Sequence, residues 1–146
     1  MDDTDIERTP GSGPARLADL TPDQCWGLLE QVEVGRVAWC GPDGPDVVPV
    51  NLAVVEEAVW LRTSPYSRLV GHCRGGARLA VEADHVDTGR RSGWSVVVAG
   101  VGEPVDTLDV PEAVRLLDTW APGNRGALVR LTVHRVTGRR LTARTP

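Results

Sequence analysis

Short apolar segments separated by tight turns dominate the middle of the chain and limit the folds that it can adopt. Val34–Cys40 is closed by the turn Gly41-Pro42-Asp43-Gly44, and the next apolar segment covers 47–55. Glu56-Glu57 forms a second turn before a third segment, Val59–Arg62. Segments of this length with two to four turn residues between them predict consecutive antiparallel hairpins.

The rest of the chain predicts further strands and a few short helices. Thr21-Pro22-Asp23-Gln24 is a capping box that begins a helix to about Gln31. We expect a short helix at 67–73, strands at 78–83, 94–105 and 127–136 (or 127–141), and a loop at 84–93. Gly100 and Gly102 predict a bulge or a sharp bend within the strand 94–105. A further helical face is formed by Val110, Ala113, Val114, Leu117 and Trp120. Six strands with two to three short helices predict a mainly β (α+β) chain folded as a six-stranded antiparallel barrel.

Length and composition restrict the class of protein. The 146 residues suit one domain, with residues 1–16 as a disordered tail and 17–146 as the folded part. The tail has no apolar core of a signal peptide, and no apolar run reaches membrane-spanning length, so we expect a cytoplasmic protein. A net charge of −4 argues against a nucleic-acid partner. All 16 basic residues are Arg, which excludes a Walker lysine and a Schiff base.

Cysteine and histidine residues do not form a recognisable metal motif. Cys25, Cys40 and Cys73 are far apart in the sequence and predict reduced, mostly buried thiols. The three histidines have no metal-ligand spacing, so we expect no metal.

The segment from Arg62 to Arg68 carries the strongest functional signal, because two arginines and several hydroxyls lie where a strand ends and a helix begins. Backbone N–H groups and the helix dipole favour an anion there, and a guanidinium matches phosphate oxygens. The alternatives are a salt bridge from Arg62 to Glu82 or Asp84, a solvated Arg68, and Ser67 as a simple helix cap.

Three other polar or aromatic positions also have two interpretations. Asn51 lies in an otherwise apolar strand and is either a ligand contact or a cross-strand partner. Trp94 and Trp120 are more often core or interface aromatics than stacking platforms. Arg36 is most simply a salt bridge at the barrel rim.

Five segments, taken in order, resemble the pyridoxamine 5′-phosphate oxidase-like FMN-binding split-barrel family, in its small single-domain branch. They are Val34-Gly35-Arg36-Val37, Pro49-Val50-Asn51, Leu61-Arg62-Thr63 with Ser67-Arg68-Leu69, Gly93 to Gly100, and Val136 to Arg140. The resemblance covers about Leu17 to Leu141 and implies a homodimer with FMN at the subunit interface. It implies a flavin ring bordered by Pro49, Val50 and Asn51, a phosphate bound by Arg62, Thr63, Ser67 and Arg68, and a flavin near Trp94 and Ser95. The loop 120–123 is expected beside the same cavity.

The resemblance implies a flavin-dependent oxidoreductase that acts on a small acceptor such as a quinone or nitro compound. Pyridoxamine phosphate oxidation is not expected, because Leu69 interrupts the basic run and the C-terminal Trp and Arg substrate motif is missing. No catalytic constellation of side chains stands out, as expected where a flavin performs the chemistry. The alternatives are a deazaflavin-dependent reductase and a non-enzymatic flavin, haem or interaction module, with His72, His85 or His134 as a lone haem ligand.

Overall fold

The fold was determined as a computed structural model, which describes residues 13–65, 67–106, 108 and 110–143. Most of the predicted disordered tail therefore lies outside the described residues, although its last residue, Arg16, begins a strand. In chain order the elements are β1 (Arg16–Asp19), α1 (Pro22–Leu29), β2 (Val34–Gly41), β3 (Gly44–Val55), β4 (Ala58–Thr63), α2 (Arg68–Cys73), β5 (Ala77–Asp87), β6 (Ser92–Val105), α3 (Glu112–Arg115) and β7 (Ala127–Thr142).

Six antiparallel strands close into a ring in the order β7-β4-β3-β2-β5-β6, because β6 also pairs with β7. The fold class and the six-stranded barrel are thus as predicted. The described part of the chain adds a seventh strand, β1, which pairs with residues 139–142 of β7. Strand β7 is long enough to pair with β4 along its first half and with β1 along its end. Four residues with little apolar character gave no strand signal of their own for β1.

The hairpin between β5 and β6 is longer than the sequence predicts. The polar segment 84–93 was expected to be a loop, but β5 continues to Asp87 and β6 begins at Ser92. The backbone groups of residues 84–87 are paired with residues 92–95 of β6. Cross-strand pairing therefore outweighs the low strand propensity of these polar side chains.

Helix α3 is much shorter than the predicted helical face. It covers four residues, and within the expected face Val110 and Val114 are buried whereas Trp120 is 70% exposed. Helix α1 has its predicted capping box, with the Thr21 hydroxyl accepting from the Gln24 N–H. None of the three helices in the described ranges approaches the length and apolarity needed to cross a bilayer.

The core consists of two clusters on opposite sides of the ring wall. The larger fills the ring with residues such as Val37, Leu61 and Val98, all fully buried. The smaller lies outside β4 and β7, where α3 covers them, and contains Trp60, Val110, Val114 and Leu128. Successive strand residues point to opposite faces, so Arg62 shares the outer face with Trp60. This alternation decides which side chains reach the candidate site.

Candidate functional site

Arg62 lies on the outer face of β4 and holds α3 in place. Its Nη2 donates to the carbonyl oxygens of Val114, at 3.1 Å, and Arg115, at 3.4 Å. A cation is favourable at the carboxyl end of a helix, where the carbonyl groups lack helical partners. The Nε is buried and has no hydrogen-bond partner among the described residues. The predicted alternative, a salt bridge to Glu82 or Asp84, is wrong, because Arg36 pairs with both carboxylates.

The other residues of the predicted phosphate segment lie around the start of α2. Ser67 caps this helix, its hydroxyl accepting from the Val70 N–H at 3.2 Å. Arg68 forms an ion pair with Asp46 at 2.7 Å, and 68% of its side chain is exposed. Thr63 is buried at the end of β4. Of the two arginines, Arg68 is the one whose guanidinium faces solvent.

Asn51 connects β3 to two other segments. Its Nδ2 donates to the Glu33 carbonyl oxygen at 3.2 Å, and its Oδ1 accepts from the Trp120 N–H at 3.0 Å. Both ends of the buried amide are therefore satisfied, as a buried polar group requires. Asn51 pairs across the sheet with Val34 and Arg62. The loop that begins at Trp120 is thus held beside the predicted site residues of β3 and β4.

An outer strip crosses four neighbouring strands, and we define it as Pro49 together with the polar side chains of Arg36, Glu82, Asp84 and Ser95. Pro49 pairs with Arg36 and Arg36 with Glu82, while Asp84 pairs with Ser95. Cross-strand partners share a face, and so do residues two apart in a strand. Val81 and Ala83 point into the core and are fully buried, so Glu82 and Asp84 point outward.

Arg36 is the centre of the outer strip. Its Nη1 lies 3.3 Å from Glu82 Oε2 and 3.4 Å from Asp84 Oδ1. This confirms the predicted salt bridge at the rim. Burial and the neighbouring Asp84 raise the pKa of Glu82, and Arg36 opposes this change. Sequence reasoning missed this cluster, because the partners depend on the β2–β5 register; the polar alternation at positions 82 and 84 was the available signal.

A cavity of about 460 Å³ lies at the β6 end of the strip. Asp84, Ser95 and Arg139 are consecutive cross-strand partners along its wall. Its remaining walls are largely apolar and include Leu17, Val86, Trp94 and Leu141. Trp94 and Ser95, both predicted flavin contacts, thus line one cavity.

Trp94 also borders a second cavity of about 810 Å³, where it pairs with His85 and Arg140. Trp94 is partly buried and packs against the larger core cluster, which supports the interpretation as a core aromatic.

The nine predicted site residues form two groups. One group comprises Asn51, Arg62 and Thr63, with Pro49 and Val50 before them on β3 and Ser67 and Arg68 after them at α2. The other is Trp94 with Ser95 on β6. The two cavities beside Trp94 are lined by residues of the second group and by none of the first. The outer strip is what joins them, through Arg36 and the two carboxylates of β5.

The thiols and histidines provide little chemistry. Cys25 and Cys73 are buried as predicted, whereas Cys40 is exposed. Burial raises the pKa of the Cys73 thiol to about 11, which leaves it protonated and unreactive at neutral pH. Within the described ranges, no three His, Cys, Asp or Glu residues group in a way that could hold a metal ion.

Comparison with known proteins identifies similar chains. A family model described as pyridoxamine 5′-phosphate oxidase matches residues 21–140. The Mycobacterium tuberculosis protein Rv0080 is 35% identical and aligns with 94% of this chain and 99% of its own. An FAD-binding protein from Mesorhizobium loti has a TM-score of 0.72 at 27% identity, covering 85% of this chain and 97% of its own. An FAD-binding protein from Mycobacterium smegmatis has a TM-score of 0.66 at 27% identity, covering 86% and 98%.

Proposed function

The chain belongs to the pyridoxamine 5′-phosphate oxidase family, and from that premise we propose that it binds a flavin nucleotide, FMN, on the outer strip. The observation that carries the proposal is the cavity beside Trp94 and Ser95, which continues the strip on one face of the sheet. Binding sites for cofactors combine apolar walls with a few polar groups that fix orientation. Here the apolar walls are those of Leu17, Val86 and Leu141, and the polar groups are Ser95, Asp84 and Arg139.

The residues of the chain fit both parts of a flavin nucleotide. The backbone of Pro49, Val50 and Asn51 and the side chain of Ser95 would hold the ring, with Trp94 at the wall of the same cavity. Thr63, Ser67, Arg68 and Arg62 would hold the phosphate. Arg68 supports this assignment best, because its exposed guanidinium is paired with a single carboxylate, Asp46, for which a phosphate dianion can substitute. Arg62 would act mainly by keeping α3 against β4.

We propose further that the protein works as a cytoplasmic homodimer with the flavin between the two subunits. The outer strip is only partly covered in one chain: Arg36 has 51% of its side chain exposed, and Glu82 and Asp84 about a third. A planar ring lying there would remain open to water on its far side. A second copy packed over the strip would enclose it, as burial of a ligand in a binding site requires.

We propose a flavin-dependent oxidoreductase activity on a small acceptor, such as a quinone or a nitro compound. A bound flavin supplies the hydride chemistry, and the protein contributes binding, orientation and charge.

The first experiment is an absorbance spectrum of purified protein before and after incubation with FMN or FAD and desalting. We expect retained flavin bands with FMN, and weaker retention in Arg68→Ala than in Arg62→Ala. FAD is the necessary comparison, because the two structural relatives above bind FAD. A protein that retains neither flavin would contradict the proposal, and a Soret band would indicate the haem alternative.

If a flavin is retained, the acceptor screen follows. Loaded protein with NAD(P)H should reduce at least one quinone or nitroaromatic compound. Failure with every acceptor would leave a flavin-binding protein without oxidoreductase activity. The same assay with a deazaflavin cofactor in place of FMN tests the alternative that the protein is a deazaflavin-dependent reductase.

A further inference from the structure

The two carboxylates of the outer strip share one arginine. Glu82 and Asp84 are two residues apart on β5, so both side chains lie on the same face of the strand. The same Nη1 atom of Arg36 lies within 3.4 Å of an oxygen of each. One positive charge is therefore available to offset two negative charges. A neighbouring carboxylate makes it harder for the second to ionise.

The position of the cluster connects the two groups of predicted flavin contacts. Arg36 is the cross-strand partner of Pro49, and Asp84 is the partner of Ser95. The strands run in the order β3-β2-β5-β6, so the cluster occupies the two strands between these contacts. Three strand spacings separate β3 from β6, or about 14 Å. A flavin ring that touches β3 and approaches β6 must lie over Arg36 and Glu82.

We propose that Glu82 contacts the flavin in its protonated form, so that flavin binding at the outer strip is coupled to uptake of one proton by the Glu82–Asp84 pair. This inference rests on the proposed function. A protonated carboxyl has an O–H donor for a ring carbonyl or ring nitrogen, whereas a carboxylate can only accept. Proton uptake therefore converts the pair from a repulsive group into one that fits an acceptor edge of the ring.

The surroundings of Glu82 favour this coupling. Burial and Asp84 already raise its pKa above the ordinary 4.5, against the opposing effect of Arg36. A flat apolar ring would remove more water from the carboxyl and raise the pKa further. Of the strands beside Glu82, β2 contributes the charge of Arg36, β5 that of Asp84, and β6 the uncharged Val97 and Ser95. The next strand, β7, places Arg139 beside Ser95.

Calorimetric titration with riboflavin tests the proposal without any turnover. Riboflavin lacks the phosphate, whose own ionisation near pH 6 would otherwise be measured as well. Titrations at weakly acidic pH in two buffers that differ in protonation enthalpy give the number of protons taken up per flavin bound. We expect uptake by the wild type and its loss in Glu82→Gln. Glu103→Gln is the matched control, since this exposed carboxylate on β6 has only a 3.9 Å contact with Arg130.

A second variant covers the case in which Glu82→Gln does not fold. Asp84→Asn removes the neighbouring charge that raises the pKa of Glu82, so proton uptake should move to lower pH. Unchanged uptake in Glu82→Gln or Asp84→Asn would overturn this inference and leave flavin binding intact. Binding of neither riboflavin nor FMN would overturn the proposed function, and the inference with it.

Discussion

Asn51 helps to hold the connection between β6 and β7 in place. Its amide joins β3 to the Trp120 N–H and to the Glu33 carbonyl. Removing one partner of a buried hydrogen bond leaves the other unsatisfied, at a cost of about 1–3 kcal/mol. Asn51→Ala should therefore lower the free energy of unfolding by about that amount in urea denaturation. Amide hydrogen exchange at Trp120 should become faster.

Asn124→Ala is the control for Asn51→Ala. The Asn124 side chain accepts from the Gly126 N–H within an exposed loop, so water can replace it. We expect little change in stability from this variant. Equal losses of unfolding free energy in the two variants would show that Asn51 has no special role in holding the connection between β6 and β7.

Glu82 should make the stability of the unliganded protein depend on pH. Its pKa is raised in the folded state, mainly by burial and then by Asp84, above the ordinary 4.5. Below the ordinary value, both states hold the proton and Glu82 contributes its full stability. As the pH rises through the folded pKa, that contribution is lost, because the unfolded chain releases the proton more readily.

Glu82→Gln removes this titration and provides the measurement. We expect the free energy of unfolding of the wild type to fall relative to that of Glu82→Gln as the pH rises from 4 through the weakly acidic range. Arg36→Gln should enlarge the dependence, because it removes the cation that opposes the raised pKa. A constant difference between wild type and Glu82→Gln would contradict the predicted ionisation.

At the scale of elements, the bulge in β6 depends on a glycine. The register between β6 and β7 shifts between Ala99 and Gly100, where the sequence predicted a bulge. A Cβ on Gly100 would collide with the carbonyl oxygen of Thr132. Backbone cannot move aside as a flexible side chain can, so Gly100→Ala should destabilise the protein by about 2 kcal/mol or more.

Gly71→Ala is a matched substitution with the opposite expectation. Gly71 lies in α2, and apart from its chain neighbours and the backbone of its own helix, no atom comes within 4 Å of the site of its Cβ. Alanine in a helix is favoured over glycine by roughly 0.5–1 kcal/mol, so this variant should be neutral or slightly more stable. The thermal unfolding midpoints of Gly100→Ala and Gly71→Ala test both expectations. Similar midpoints would mean that the bulge tolerates a side chain.

The β3–β4 turn offers a stabilising change. Glu56 and Glu57 both have positive φ, at 51° and 58°, in a two-residue loop between the partners Val55 and Ala58. Asn-Gly is strongly preferred for such a turn, because these residues adopt left-handed conformations more easily. Replacing Glu56→Asn together with Glu57→Gly should raise the free energy of unfolding by about 1 kcal/mol. A loss of stability would show that the two glutamates make contacts that matter more than backbone strain.

Local sequence signals predicted the elements whose causes are local. Turn residues and apolar runs located β2, β3 and β4, and Gly100 marked the bulge. The predictions that were wrong depended on distant pairing. Strand β1 forms because residues 139–142 of β7 lie beside it. The connection between α3 and β7 is non-helical at Trp120, where the backbone N–H donates to Asn51.

The same distinction applies to the candidate site. Ser67 caps α2, which was the alternative that its place before a helix suggested. The alternative that paired Arg62 with the carboxylates at 82 and 84 was wrong, because it placed β5 next to β4, whereas β5 pairs with β2 and so lies beside Arg36.

At the scale of the whole molecule, the exposed apolar side chains in the described part of the chain include two groups on the outside of the barrel. One surrounds the cavity beside Trp94, where Leu17 and Val86 are 62% and 64% exposed. The other surface lies on the β2–β3 hairpin, where Val47 is 63% exposed. A dimer that encloses a flavin over the outer strip should bury the first surface, since that surface continues the cavity.

Val86→Glu and Val47→Glu compare these surfaces with the same substitution at nearly the same exposure. Placing a carboxylate in a dimer interface without a partner is unfavourable, because a buried charge must be paired. Val86→Glu should therefore shift the protein from a dimer to a single chain of 15.7 kDa in light scattering at micromolar concentration, and reduce flavin retention. Val47→Glu should change neither property. A wild-type protein that is already monomeric would contradict the interfacial site, and flavin would then have to bind the open strip of one chain. Dissociation by Val47→Glu alone would instead place the interface on the hairpin, on the side of the barrel where Asp46 pairs with Arg68.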